Sequence, residues 1–201
     1  MKRLFILTCL FLFCQASLSA EALTSEELKK ATNHLQKTSA DFLASTEDLS
    51  AAQLNFKSTP ARWSVAEIAE HIASAEDFLM GLIQGQVMKG SPRTEPADLH
   101  EIDDFVLQAI ADRTNTIQAP EPLAPTNRFG SMDASRDHFK ESRAKTLAFL
   151  KQTPDLREHA MDSPLGKKLD AYQWLLFISA HCERHIKQIK EVKADENFPK
   201  S

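Results

Sequence analysis

The 201-residue chain carries 24 lysines and arginines against 28 aspartates and glutamates, 42% apolar residues and only five glycines. This is enough apolar material for one buried core, and the mixed charge at 26% excludes a chain disordered throughout. So few glycines argue against the many tight turns of an all-β fold. A net charge of −4 provides no basic footprint for nucleic acid or an anionic membrane.

The first twenty residues have the layout of a secretory signal peptide. Lys2 and Arg3 form a basic start, Leu4 to Phe13 is apolar apart from Thr8, and small residues surround Ala16 to Ala20. Cleavage is expected after Ala20 or Ala22, leaving residues 21–201 as one exported, periplasmic or secreted domain. The apolar run is too short to span a bilayer as a helix, so no stable membrane anchoring is expected. Cys9 and Cys14 follow bulky residues that do not suit a lipoprotein cleavage site. Removal of this segment leaves 22 basic against 28 acidic residues and a single cysteine, Cys182, so the domain must be held by packing rather than an internal disulfide.

Helix starts are legible along the remainder. Thr24-Ser25-Glu26-Glu27 is a capping box in which the threonine hydroxyl and the glutamate three residues later satisfy orphan backbone N–H groups. Leu23 and Leu28 flank it as a hydrophobic staple. Leu28, Ala31, Leu35, Phe42 and Leu43 continue at helical spacing. A second box, Ser64 to Glu67 with Trp63 and Ile68, opens a helix carrying Ile72, Ala75, Leu79 and Leu82. Leu99, Ile102, Phe105, Val106 and Ile110 predict a helix over Asp98 to Thr116, between Pro92 and Pro96 before and Pro120, Pro122 and Pro125 after. A less regular stretch from near Ser131 bears Phe139, Leu147, Phe149 and Leu150. A third box, Asp170 to Gln173, begins a last helix with Trp174, Leu175, Ile178, Ile189 and Val192. No alternating strand pattern competes. The expected architecture is all-α: an up-down four-helix bundle with an extra helix and a proline-rich loop in the crossover between its second and third helices.

Three histidines fall on the apolar stripes. His71 lies between Ile68 and Ala75, while His181 and His185 follow Ile178 and precede Ile189. An i,i+4 pair lies about 6 Å apart along one helix face. A third imidazole from a facing helix would complete a set suited to zinc, nickel or iron, with positions left open. The same spacing also suits core histidines with one hydrogen bond each. His34, His138 and His159 read as solvated or loop residues, and His100 could overhang a site from the crossover. His181-Cys182-Glu183-Arg184-His185 lacks the glutamate directly after the first histidine that zinc proteases require. Cys182 faces away from His181 and reads as a small buried residue. Trp63, Trp174 and Phe177 read as staple and core rather than a substrate platform. Glu67 is explained by its capping box, with orientation of a ligand or a basic role as the alternative.

Pro60-Ala61-Arg62-Trp63-Ser64-Val65-Ala66-Glu67-Ile68-Ala69-Glu70-His71-Ile72 resembles the second-helix signature of the DinB-like superfamily of metal-dependent four-helix proteins. Pro164-Leu165-Gly166 through Trp174 to His181, Arg184, His185, Ile186 and Gln188 is similar to its last-helix signature. The similarity runs from about Leu23 to Val192. It implies a bundle with a crossover, frequent homodimers, and a divalent metal, zinc or nickel first, held by His71, His181 and His185. The superfamily includes transferases and isomerases that use low-molecular-weight thiols. Export to an oxidising compartment disfavours such cofactors. The leading expectation is therefore an exported metal-dependent hydrolase acting on a small molecule. The alternatives are a non-enzymatic metal or small-ligand binder, a thiol-dependent transferase, and a metal-free bundle acting through dimerisation.

Overall fold

The computed structural model describes residues 22–92 and 98–200. The expected signal peptide, with Cys9 and Cys14, and Pro96 in the crossover lie outside the described residues. The helices are α1 (Ser25–Ser45), α2 (Ala51–Asn55), α3 (Val65–Gly85), α4 (Leu99–Ala111), α5 (Met132–Gln152) and α6 (Ala171–Lys193). No helix among the described residues is long and apolar enough to cross a membrane.

All three expected capping boxes form, at Thr24, Ser64 and Asp170. A fourth, Ser50 with Gln53, opens the five-residue α2, which apolar periodicity does not reveal. The crossover helix stops at Ala111, short of the expected Thr116. Asp112 accepts from the Thr114 N–H at 2.9 Å, and this local turn competes with another helical turn. Two three-residue strands, β1 (Ala160–Asp162) and β2 (Lys168–Asp170), pair antiparallel with Met161 opposite Leu169. They are too short to show alternation in sequence. Gly166 takes a positive φ of 70° in their connection, and Asp170 ends β2 while capping α6.

Cross-helix contacts fix the helix directions. Tyr172 Oη donates to the Glu27 carbonyl, Thr38 Oγ1 lies 3.3 Å from Ser179 Oγ, and Lys193 Nζ donates to the Ser45 carbonyl. So α1 and α6 run parallel. Glu70 binds the segment just before α5, Asp77 meets His138 and Ser142, and Glu76 meets Arg143 and Thr146. So α3 and α5 are parallel too, as a long crossover between them requires, and the second pair opposes the first. Helix α4 packs on α6.

The core has two apolar clusters. One joins Leu35, Ile83, Val106, Leu150 and Leu175, and the other joins Phe42, Ile68, Ile72, Phe139, Ile186 and Ile189. The second lies around the start of α3 and the middle of α6, where the candidate site is built. Two arginines inside the bundle are paired with carboxylates, as burial requires. Arg143 clasps both oxygens of Glu76 at 2.7 and 2.8 Å. Arg157 bridges Glu27, Asp103 and Asp170 at 2.6 to 3.1 Å.

Candidate metal centre

The apolar stripe of α3 carries His71 inward from its second turn, and the stripe of α6 carries His181 and His185 one turn apart. Antiparallel packing of these helices brings the three rings together. Their Nε2 atoms form a nearly equilateral triangle: His71 to His181 is 3.3 Å, His71 to His185 is 3.1 Å, and His181 to His185 is 3.2 Å. His71 and His185 are buried, and His181 is the most accessible of the three.

The outer ring nitrogens set the tautomers. His71 Nδ1 lies 2.9 Å from the Leu123 carbonyl oxygen, which can only accept, so Nδ1 carries the proton. His185 Nδ1 likewise meets Gln188 Oε1 at 2.8 Å. Both Nε2 atoms of the neutral rings are therefore unprotonated. His181 can supply at most one N–H between them, so the triangle is not a satisfied hydrogen-bond network. Three convergent lone pairs are unfavourable together unless a cation draws them in. Imidazole nitrogens about 2.0–2.1 Å from one zinc ion at near-tetrahedral angles lie roughly 3.3 Å apart, which is the observed spacing. The residues present fit a divalent ion.

The electrostatics agree. Burial, then the repulsion that a second protonated ring would meet beside His71, pushes His185 down to about 3. Burial, with the same mutual repulsion against His185 and His71, holds His181 well below the ordinary histidine range. Burial also lowers His71, partly opposed by its bond to Leu123. Neutral imidazoles at pH 7 are the metal-binding form.

Aromatic rings wall the triangle. Trp63 lies tilted 4.9 Å from His71 and stacks 6.4 Å from His185, and Phe177 stacks 6.5 Å from His181. Trp63 and Phe177, expected as staple and core, thus also border the site. Trp174 is buried and packs 5.1 Å from Phe177.

Glu67 completes the Ser64 box through Oε2 and binds Lys57 Nζ through Oε1 at 2.7 Å, so its capping role is the one realised. His100 groups with Glu27 and Asp103 rather than with the three histidines. His138 is half-exposed on the surface of α5, where it pairs with the exposed Asp77 at 2.5 Å and stacks on Phe129. His159 bonds the Gly90 carbonyl at 2.7 Å. Cys182 is free and buried, with its thiol pushed up to about 12 by burial, which leaves it inert as a nucleophile.

Sequence reasoning missed Glu70, a buried carboxylate beside His71. It accepts the N–H groups of Thr126, Asn127 and Arg128 at 2.7, 2.8 and 3.2 Å, and Arg128 Nε at 3.1 Å. Burial alone would raise its pKa, but these bonds hold it below the usual carboxylate range. The available signal was a carboxylate set between Ala69 and Ala73 on a largely buried helix, where charge is rare unless paired.

Comparison with known proteins gives a consistent picture. The signature of the family described as the DinB superfamily matches residues 34–189, well over half the chain. A Bacillus subtilis (strain 168) relative, the uncharacterized protein YuaE, is 29% identical over 148 residues, covering 72% of this chain and 86% of YuaE. The structure of YfiT from Bacillus subtilis, described as a probable metal-dependent hydrolase with an unusual four-helix bundle topology, aligns with a TM-score of 0.58 at 15% identity. That alignment covers 87% of this chain and 90% of YfiT. At that identity the likeness shows the fold.

Proposed function

The chain belongs to the DinB superfamily, and from that premise we propose that it is an exported metalloprotein with a hydrolase-type site for a small-molecule substrate. His71, His181 and His185 hold one divalent ion, zinc or nickel. The observation that carries this reading is the triangle of Nε2 atoms 3.1 to 3.3 Å apart, with two of its three tautomers fixed for binding. A bound divalent ion would supply Lewis acidity and lower the pKa of a coordinated water, the chemistry used for hydrolysis. The chain's own part is to keep three imidazoles neutral, to orient two of them through Leu123 and Gln188, and to wall the site with Trp63 and Phe177. Homodimer formation belongs to the same proposal on the superfamily resemblance. Export rests on the sequence of residues 1–20. N-terminal sequencing of secreted material tests it, with Glu21 or Leu23 expected as the first residue.

One observation favours a second reading, binding without turnover. The two acids flanking His71 are already engaged, Glu67 in its cap and with Lys57, Glu70 with the loop at 126–128, so neither stands ready as a base. A screen of esters and amides with metal-loaded protein separates the readings. Turnover that disappears in His181→Ala supports the hydrolase. Equal rates for the two proteins leave the binder, and turnover only with an added low-molecular-weight thiol identifies a transferase instead.

A further inference from the structure

We propose that Glu70 and Arg128 form a clamp whose function is to lock the ring of His71 in its metal-binding tautomer. The inference rests on the metal-binding reading above and assigns positioning roles to two residues outside the ligand set.

The proline-rich loop between α4 and α5 supplies the carbonyl that receives the His71 Nδ1–H. A loop carbonyl is a poor reference point unless the loop itself is fixed. Here it is fixed from α3. Asn127 adopts a left-handed φ of 59°, which turns three successive N–H groups of residues 126, 127 and 128 onto the carboxylate of Glu70. Glu70 also accepts from Arg128 Nε at 3.1 Å. The other two guanidinium nitrogens donate to the carbonyls of Pro122 at 3.1 Å and Ala124 at 2.7 Å. These are the two neighbours of Leu123, whose own carbonyl bonds His71 at 2.9 Å. One arginine thus holds the peptide on both sides of the acceptor, and the carboxylate holding that arginine precedes His71 in the chain. The loop is tied back to the helix that carries the ligand. Groups that orient a metal-ligating histidine in this way typically change affinity 10- to 100-fold when removed.

A field effect would act differently from a clamp. The negative charge of Glu70 favours a nearby cation, whereas the positive charge of Arg128 opposes it. Glu70→Gln therefore weakens metal binding under either account. Arg128→Ala weakens binding only if the clamp positions the ring, and strengthens it if charge alone matters. Arg128 is partly exposed, so its removal is the milder change should Glu70→Gln fold poorly.

The test uses the full chain without a histidine tag. Zinc affinity is read by competition with a chromophoric chelator, and the His71 tautomer by long-range nitrogen–proton NMR of the metal-free protein. The clamp predicts a locked Nδ1–H tautomer in the wild type, tautomer exchange in both variants, and zinc binding about tenfold weaker in each. Arg128→Ala that binds zinc as tightly as wild type, or more tightly, overturns it. So does an unchanged tautomer in both variants. Should wild type bind no zinc at all, the metal reading fails by itself. The NMR comparison then decides whether the clamp orients the ring.

Discussion

His71 and His185, 114 residues apart in the chain, point unprotonated Nε2 atoms at each other across 3.1 Å. Two neutral acceptors do not choose that distance for each other. Each ring is turned inward by a bond at its far nitrogen, His71 to Leu123 and His185 to Gln188, and His181 closes the triangle. The three rings thus form a group whose geometry could hold a cation.

Loss of one ligand should be felt through the metal rather than through packing. Zinc at 100 times its dissociation constant should stabilise the wild type by about 2.7 kcal/mol. In His181→Ala that increment should disappear, while the metal-free stability stays close to wild type because a convergent lone pair has been removed. Urea titrations with and without zinc measure both quantities.

Metal-free protein should lose stability on mild acidification. His185 is held near 3 in the folded state against 6.5 when unfolded, so between those values the unfolded chain binds more protons. Stability is therefore fully present above pH 6.5 and falls as the pH drops below it. For His185 alone, the fall from pH 7 to 5 amounts to about 2 kcal/mol. The lowered carboxylates Glu27 and Glu70 add a loss in the same direction at more acid pH. Urea midpoints in the presence of a chelator should show a shallower pH dependence in His185→Ala.

The two tryptophans should report binding unequally. Trp63 lies 4.9 Å from the His71 ring, whereas Trp174 packs against Phe177, farther along α6. Nickel should quench the emission of the wild type and of Trp174→Phe, and Trp63→Phe should lose most of that response in a fluorescence titration.

Glu67 separates a cap from a ligand orienter. Glu67→Ala should cost about 1 kcal/mol through loss of half the Ser64 box. Zinc affinity should remain unchanged. Calorimetric titration beside a urea curve reads both.

The candidate site was more legible than its support. His71, His181 and His185 were exposed by apolar stripes at helical spacing, which report on burial one helix at a time. The Ser64 and Asp170 boxes located the starts of both helices that carry them. Glu70, Arg128 and Leu123 form their bonds over 52 to 58 residues, through a loop with no periodicity, and no local pattern encodes such contacts. The β1–β2 hairpin and α2 were hidden for a simpler reason. Three- and five-residue elements are too short to complete a period. In the case of α2, Ser50 and Gln53 repeated a motif already recognised elsewhere in the chain.

The most direct test is elemental analysis of tag-free protein after exposure to zinc, nickel or manganese and removal of excess metal. The triangle of histidines predicts about one ion per chain in the wild type and none in His185→Ala. A wild-type protein that retains no ion from any of the three would contradict the account.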